Sequence, residues 1–234
     1  MPAATADSRI YAIGDIHGRV DLLVHLQAKI LADATRSTAR RRVIVYLGDY
    51  VDRGPDSRAV VDRLLNHRLD GFETVHLRGN HEDMLLRFLA GEPVARLWFM
   101  NGGMQTLRSY AVSGHVEDLP AAARAQLARG MPEEHRRFLA ELALSHIEGD
   151  YLFVHAGIRP GIPLEAQDAA DLLWIREEFL DSADPHGKVV VHGHTIRPRP
   201  EVLSNRIGID TGAFMTGRLT ALVLEGDEAS FLAT

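Results

Sequence analysis

Acidic, histidine and asparagine side chains follow short apolar runs at five separate places in this sequence. They are Asp15 with His17, Asp49, Asn80, His155 and His194. Carboxylate, imidazole and amide groups are typical ligands of hard or borderline divalent metal ions, and a pair of ions needs a bridging carboxylate or hydroxide. The chain has no cysteine, which excludes thiolate metal sites, thiol nucleophiles and disulfides. These residue types therefore indicate a metal site made of nitrogen and oxygen ligands.

The apolar runs before these residues are predicted strands, and in the first half of the chain a helical pattern follows each one. Predicted strands at 9–13, 43–47 and 74–77 lead into GDIHG, GDYVDRGP and RGNHE, and the helical patterns cover 20–34, 57–69 and 84–89. Three strand–loop–helix units in succession indicate an α/β fold with parallel strands. Loops at the carboxyl ends of such strands converge on one crevice, so we expect the six side chains to share one site.

The second half of the chain begins with a long helical pattern and then returns to strands. The pattern from about 91 to 146 is typical of helices, with breaks at prolines and glycines, and we interpret it as a helical insertion. We expect the whole chain, 1–234, to form a single domain. Strand signals return at 151–154, 189–191, 207–209, 219–224 and 230–232, and the last three predict an antiparallel meander.

Charge and hydropathy argue against nucleic-acid-binding and membrane proteins. The net charge is −6, and 46% of the residues are hydrophobic. This balance argues against a broad surface for nucleic acid or anionic membrane, because such a surface needs clustered Lys and Arg. The sequence has neither a basic segment before an apolar stretch at its start nor a run of about 18 apolar residues. We therefore expect a cytoplasmic protein with no membrane or nucleic-acid partner; its oligomeric state cannot be read from the sequence.

Each candidate ligand also has a simpler structural explanation. Asp15 could cap the following helix, Asp49 and Asn80 could form turns after glycines, and the two later histidines could be hydrogen-bonded core residues. These explanations treat every residue separately and do not account for the joint occurrence at strand ends, so we favour the metal site. Packing is the preferred role for His192 and for the segment from Trp98 to Met100, and Asp210 is read as part of a turn.

Five motifs, GDIHG, GDYVDRG, RGNHE, HAG and GHT, occur in this order between Gly14 and Thr195. They resemble the metal-binding motifs of the phosphoprotein phosphatase family within the calcineurin-like metallophosphoesterases, nearest to the small bacterial and phage serine/threonine phosphatases. The resemblance implies an α/β fold with a mixed β-sheet sandwich flanked by helices. It also implies two divalent metal ions, with Mn²⁺ the main expectation and Fe or Zn as alternatives. The ligands it implies are Asp15 and His17 for the first ion, Asp49 as the bridge, and Asn80, His155 and His194 for the second.

Arginines and a further histidine next to these motifs supply the remaining candidate roles. A phosphoryl group carries charge on its oxygens that Arg can bind in a bidentate manner, and Arg53 and Arg78 lie beside the ligands. Arg176 resembles the arginine of a Trp-x-Arg-Glu segment in the small bacterial and phage relatives; the alternative is a surface ion pair with a neighbouring glutamate. The resemblance also pairs His81 with Asp52, which would orient the imidazole and favour its charged form.

The resemblance implies a reaction in which a metal-bound hydroxide attacks phosphorus directly and His81 protonates the departing alcohol. We expect a phosphatase for phosphomonoesters, with phosphoserine and phosphothreonine in proteins, or a small phosphoester, as the substrate. A symmetrical dinucleoside tetraphosphate hydrolase is the alternative. Those enzymes usually lack an acidic residue at the position of Asp52 and follow Gly-Asn-His with Asp, whereas this chain has VDRG and GNHE. A noncatalytic phosphate-binding module is a third hypothesis, disfavoured because every motif residue is present.

Overall fold

The computed structural model describes residues 2–114 and 119–234, and ten strands lie within these two ranges. The strands are β1 (Ser8–Ile13), β2 (Arg41–Tyr46), β3 (Glu73–His76), β4 (Ser145–Glu148), β5 (Tyr151–Val154), β6 (Val189–His192), β7 (Glu201–Val202), β8 (Arg206–Gly208), β9 (Thr220–Glu225) and β10 (Glu228–Ala233). They form two sheets of five strands, in the orders β10-β9-β1-β2-β3 and β4-β5-β6-β8-β7.

Both sheets have parallel strands in the centre and antiparallel strands toward an edge. In the first sheet β1, β2 and β3 run parallel, with Ile10 opposite Val43, while β9 is antiparallel to β1 and β10 to β9. In the second sheet β5, β6 and β8 run parallel, and β4 and β7 are antiparallel to their neighbours. The carboxyl ends of β1, β2, β5 and β6 are the parallel strand ends from which the candidate ligand loops leave.

Helices cover the outer faces of the two sheets. They are α1 (Val20–Ala34), α2 (Ser57–Asn66), α3 (Asn80–Ala90), α4 (Ala95–Trp98), α5 (Met104–Ser109), α6 (Pro120–Gly130), α7 (Glu133–Ala140), α8 (Ala169–Trp174), α9 (Glu177–Leu180) and α10 (Ala213–Thr216). A five-residue segment with a kink at Gly102, Phe99–Gly103, joins α4 to α5, and a 3₁₀ turn lies at Leu164–Ala166.

The alternation of side chains along the strands explains this layered arrangement. Ile10 and Ala12 on one face of β1 lie in the core between the sheets, whereas Tyr11 and Ile13 on the other face pack toward α1 and α2. Successive strand residues point to opposite faces, so a strand that is buried on both sides must carry apolar residues throughout. The predicted mixed β-sheet sandwich flanked by helices is confirmed.

The helices from α4 to α7 form the predicted insertion and pack on α2 and α3. Trp98 and Leu127 are buried in the same core as Phe88 of α3. The helices of this region end at Ala140 and β4 begins at Ser145, so the last two residues of the predicted range, about 91–146, lie in a strand. Residues 115–118 of the insertion lie outside the described part of the chain. The assignment of residues 1–234 to one domain stays a prediction.

The closing strands depart from the predicted antiparallel meander. Of the three strands predicted to form it, β9 and β10 pair as an antiparallel hairpin, while β8 lies in the other sheet and is parallel to β6. A run of three residues carries too little pattern to specify its partner strand, which explains the error. None of the helices in the described ranges is long and apolar enough to cross a membrane.

Candidate metal and phosphate site

All six candidate ligands meet at one end of the sandwich, where the two sheets bring their strand ends together. Two follow β1, one follows β2, one opens α3, and the others follow β5 and β6. Each is at most 6% exposed. The site therefore gathers loops that are separated by up to 179 positions in the chain.

Asp49 lies at the centre of this cluster. Its Oδ2 atom is 3.4 Å from Nε2 of His17, and its Oδ1 atom is 3.4 Å from Nε2 of His155. Two groups of possible ligand atoms share it: one with His17 and His81, the other with His155 and His194. A carboxylate with one oxygen toward each group has the position that a bridging ligand requires.

The protonation of two imidazoles leaves their lone pairs directed into the cluster. Nδ1 of His17 lies 2.8 Å from the carbonyl oxygen of Val51, and Nδ1 of His155 lies 2.9 Å from that of Leu47. A carbonyl oxygen only accepts, so Nδ1 carries the proton in both rings and Nε2 is the bare nitrogen. Nε2 of His155 faces Oδ1 of Asn80 at 2.9 Å, a contact between two acceptors for the placed amide. Acceptors that converge in this way need a cation between them, and so the residues fit divalent metals.

Asp15 and His194 lie next to each other in the cluster. The backbone N–H of His194 donates to Oδ2 of Asp15 at 3.1 Å, and Nε2 of His194 is buried without a partner in the described structure. A Cβ on Gly193 would lie 2.1 Å from Oδ1 of Asp15, so only glycine allows this approach. Asp15 therefore contacts the cluster through His194. The compact group of possible ligand atoms around His17 contains His81 and Asp49, and Asp15 is not a member of it.

Burial without a cation makes every charge in the cluster unfavourable. Burial, followed by Asp210 and Asp49, raises the pKa of Asp15 well above its ordinary range. Burial raises the pKa of Asp49 well above its ordinary range and lowers the pKa of His155 to about 3. Burial likewise lowers the pKa of His194 far below its ordinary value. Positive ions would reverse the preference of the carboxylates and occupy the bare imidazole nitrogens.

Several loop residues of the site have a positive φ without being glycine. His17, Asp49, Asp52, Arg53 and His194 have φ values of 44°, 52°, 70°, 65° and 61°. This left-handed conformation costs on the order of 1 kcal/mol for each such residue and persists where the surrounding structure enforces it. The concentration of such residues around one cluster is typical of a functional site.

Glu82 holds the Asp49 loop and has a role that the sequence interpretation missed. Its Oε1 atom accepts from the backbone N–H groups of Tyr50 and Val51, and its Oε2 atom accepts from those of Asp49 and Gly79. Burial raises the pKa of Glu82 to about 7, while these four amides oppose the rise. Its position three residues after Gly79, at the start of a helix, is the spacing of a capping box and was the available signal.

His81 and Asp52 form the predicted pair, and both are completely buried. Nδ1 of His81 is 2.7 Å from Oδ2 of Asp52, and Nε2 of His81 points toward Asp49, 3.8 Å from Oδ2 of that residue. Burial raises the pKa of Asp52 to about 7, and burial together with Arg53 lowers the pKa of His81. The expectation that Asp52 favours a charged imidazole is therefore not supported. A neutral pair, with one proton between Nδ1 and Oδ2 and another on Nε2, keeps a donor available.

The three candidate arginines make different contacts around the ligand cluster. Arg53 lowers the pKa of His81, and its guanidinium lies 5.0 Å above the ring of Phe214. Arg176 donates to the carbonyl oxygen of His194 at 3.3 Å and to the hydroxyl of Thr195 at 2.9 Å, which places it at the second group of ligands. Arg78 donates to the carbonyl oxygen of Ala140 at 2.6 Å and is thereby tied to the insertion.

The segment around Asp210 and Phe214 contacts the site, although its sequence predicts a turn without a role. Asp210 is 3% exposed and contributes to the raised pKa of Asp15. The ring of Phe214, in α10 itself, packs edge-on against His17, with ring centroids 5.4 Å apart. No local pattern in the sequence distinguishes this segment from an ordinary turn. His192, as predicted, packs: its ring lies edge-on to Phe179 at 5.1 Å.

Comparison with known proteins agrees with this geometry. The serine/threonine-protein phosphatase 1 of Salmonella typhimurium is 31% identical over 219 residues, which cover 90% of this chain and 89% of that protein. The asymmetrical bis(5'-nucleosyl)-tetraphosphatase PrpE of Halalkalibacterium halodurans is 27% identical over 227 residues, with coverage of 90% and 87%.

A crystal structure assigned provisionally as a diadenosine tetraphosphatase has the same fold, with a TM-score of 0.64 and 24% identity, and the match covers 98% of this chain and 95% of that one. The model of the calcineurin-like phosphoesterase family matches residues 8–212, from β1 through the loop before α10. Both groups of candidate metal ligands lie within that range. The chain therefore belongs to the calcineurin-like phosphoesterase family.

Proposed function

We propose that this protein is a metal-dependent phosphomonoesterase for alcohols that are poor leaving groups, with phosphoserine and phosphothreonine in proteins as its main substrates. The observation that carries the proposal is the buried pair of His81 and Asp52 beside the ligand cluster. Two divalent ions, for which we propose Mn²⁺, would supply Lewis-acid activation of the phosphoryl group and of water.

The chemistry of the leaving group explains why the pair favours such substrates. A serine or threonine alkoxide is a strong base and must be protonated as it departs, so a positioned donor contributes about 10²–10⁴ in rate. Nε2 of His81 is a buried nitrogen at the edge of the ligand cluster, and Asp52 fixes the ring through Nδ1. The terminal oxygen of a nucleoside polyphosphate is a far weaker base and gains less from this donor.

Positive side chains at the rim complete the site. Arg53 is close enough to His81 to lower its pKa, and Arg176 donates to the carbonyl oxygen of His194. In this proposal both guanidinium groups bind the phosphoryl oxygens and balance the charge that develops there. Arg78 has a smaller part, because one of its nitrogens is committed to the carbonyl of Ala140.

Dinucleoside tetraphosphate hydrolysis is the second candidate, and the names of several relatives favour it. The Halalkalibacterium halodurans and Bacillus velezensis relatives, 27% and 28% identical, are both named as asymmetrical bis(5'-nucleosyl)-tetraphosphatases. Asymmetrical cleavage would give a nucleoside monophosphate and a triphosphate, whereas the symmetrical cleavage considered from the sequence would give two diphosphates. Product analysis therefore separates the two modes.

A substrate panel with added Mn²⁺ tests the proposal. It compares kcat/KM for a phosphothreonine peptide, a phosphotyrosine peptide, 4-nitrophenyl phosphate and diadenosine tetraphosphate, for the wild type and for His81→Asn. We expect the phosphothreonine peptide to be hydrolysed most efficiently, and His81→Asn to lose about 10²-fold on it and much less on diadenosine tetraphosphate. A clear preference of the wild type for diadenosine tetraphosphate would overturn the proposal in favour of the second candidate.

A further inference from the structure

The helical insertion reaches the reaction centre through two hydrogen bonds to Asp52. Nε1 of Trp98 donates to Oδ2 of Asp52 at 2.8 Å, and the hydroxyl of Thr106 donates to Oδ1 at 2.5 Å. Trp98, Thr106 and Asp52 are all completely buried. The same carboxylate also holds Nδ1 of His81, so both of its oxygens are engaged by named partners.

The Thr106 hydroxyl has a defined orientation, because its surroundings assign its single proton. Its oxygen accepts from the backbone N–H of Asp52 at 2.9 Å and lies 3.0 Å from the hydroxyl of Ser57, which can donate to it. The proton of Thr106 therefore points at Asp52. A hydroxyl fixed in this way holds a carboxylate more firmly than one that rotates.

The kinked segment Phe99–Gly103 lies between Trp98 and Thr106 and packs on the loop that carries Asp52. The carbonyl oxygen of Gly102 accepts from the backbone N–H of Arg53 at 3.3 Å. A Cβ on Gly102 would lie 2.6 Å from the nitrogen of Arg53, and a Cβ on Gly103 would lie 2.5 Å from the indole of Trp98. This segment thus lies directly on the Asp52 loop, and it is kinked at Gly102, whose φ of 100° favours glycine.

We propose that Trp98 and Thr106 are positioning residues for the leaving-group acid, and that the insertion belongs to the catalytic machinery through them. They fix the rotation of the Asp52 carboxylate, which in turn fixes the ring of His81 and the direction of its Nε2–H. This inference rests on the proposed function, because it requires that His81 protonates the leaving oxygen. Core packing alone would explain why Trp98 is buried, but it does not explain a hydrogen bond from each of two insertion residues to one catalytic carboxylate.

The inference predicts a specific kinetic signature. Proton delivery matters more as the leaving group becomes more basic, so a misdirected His81 slows phenyl phosphate strongly and 2,4-dinitrophenyl phosphate little. A merely destabilised active site would slow both substrates equally. The ratio of kcat for the two esters therefore separates positioning from structural damage.

Trp98→Phe is the primary variant, since it removes the indole N–H and keeps an aromatic ring in the core. We expect its kcat on phenyl phosphate to fall about three- to tenfold, the loss of one hydrogen bond within an uncharged pair, with KM unchanged and 2,4-dinitrophenyl phosphate within about twofold of wild type. Phe88→Leu is the matched control: Phe88 packs on Trp98 with ring centroids 4.6 Å apart and is 2% exposed. It disturbs the same core and should leave the ratio unchanged.

Thr106→Val removes the second donor and keeps the side-chain shape, so it repeats the test if Trp98→Phe does not fold. An NMR measurement on the metal-free protein adds a readout that does not depend on activity. The Nδ1–H resonance of His81 should shift in Trp98→Phe and in Thr106→Val and stay in place in Phe88→Leu.

The outcomes separate this inference from the function on which it rests. If His81→Asn shows no dependence on the leaving group, the proposed function is wrong. If His81→Asn shows that dependence while Trp98→Phe and Thr106→Val slow both esters alike, the acid is real and the positioning role is overturned. An unchanged His81 resonance in both variants would also overturn it.

Discussion

Replacing Glu82 with Gln should loosen the Asp49 loop, because this side chain is the acceptor for four backbone amides at the base of the site. Oε1 takes the N–H groups of Tyr50 and Val51, and Oε2 takes those of Asp49 and Gly79, with lengths from 2.8 to 3.2 Å. Glutamine offers one accepting oxygen, so in either orientation of its amide two of the four N–H groups meet an NH₂ group.

The number of lost contacts sets the size of the effect. A buried donor left without an acceptor costs about 1–3 kcal/mol, so two of them cost about 2–6 kcal/mol. The variant regains part of this lost free energy, because glutamine is uncharged and the cost of burying a carboxylate charge disappears. We therefore expect Glu82→Gln to lower the free energy of unfolding by about 2–4 kcal/mol, a large share of the stability of an ordinary domain.

Urea unfolding at pH 8, followed by circular dichroism, measures this loss. That pH lies above the pKa of about 7 for Glu82, so the wild-type carboxylate is mostly ionised. Asp83→Asn is the matched control, because Asp83 occupies the same helical turn and its charge partner is the more exposed Arg87 at 3.6 Å. The control should change stability by less than about 0.5 kcal/mol. A loss below about 1 kcal/mol in Glu82→Gln would refute the reasoning from the four amides.

Three further changes test other parts of the structure. Asp49→Asn should nearly abolish turnover and reduce the bound metal measured by atomic absorption; normal turnover with two metals per chain would contradict its central role. Gly79→Ala should have a similar effect, because its Cβ would lie 2.1 Å from Oδ1 of Asp49, and a wild-type metal content would contradict this. Burial lowers the pKa of His76 to about 4, so the folded state resists a proton that the unfolded chain takes up near pH 6.5, and stability falls as the pH drops between these values. His76→Phe should remove that contribution and gain about 3 kcal/mol over wild type between pH 7 and pH 4 in urea unfolding; parallel curves for the two proteins would contradict it.

The ligand cluster could be predicted from the sequence because its members share one simple property. Each follows a strand, and parallel strands of one sheet bring their carboxyl ends to the same edge, which brings Asp15, Asp49 and Asn80 together. His155 and His194 follow strands of the other sheet and join them because the two sheets meet at these strand ends, which the strand pattern alone did not specify. The strands themselves were visible because those buried on both faces are continuous apolar runs. The pairing of β8 was not visible, since three residues do not specify which sheet they join.

The groups that support the ligands could not be predicted in the same way. Trp98 and Thr106 reach Asp52 across 46 and 54 positions, and their types are those of ordinary core residues. Asp210 likewise acts on Asp15 from a loop whose sequence indicates a turn. Such roles depend on the meeting of distant segments, and single-residue patterns do not record it. Glu82 differs from these residues, because its position three residues after Gly79 is a local capping pattern from which its contact with the Gly79 amide could have been predicted.

Burial shifts pKa values in the same directions in the ligand cluster and in the pair of His81 and Asp52, but the consequence for the proposed function differs between the two. Around Asp49, burial raises the pKa of carboxylates and lowers that of imidazoles, so the metal-free cluster is held in an unfavourable environment that divalent ions would relieve. At Asp52 the same burial raises the pKa to about 7, and the donors from Trp98 and Thr106 oppose it. In the proposed reaction, a carboxylate whose pKa is raised to about 7 beside His81 would keep a proton within reach of the leaving group. The insertion supplies those two donors, and this is the reason to regard it as part of the catalytic site rather than as a cover over it.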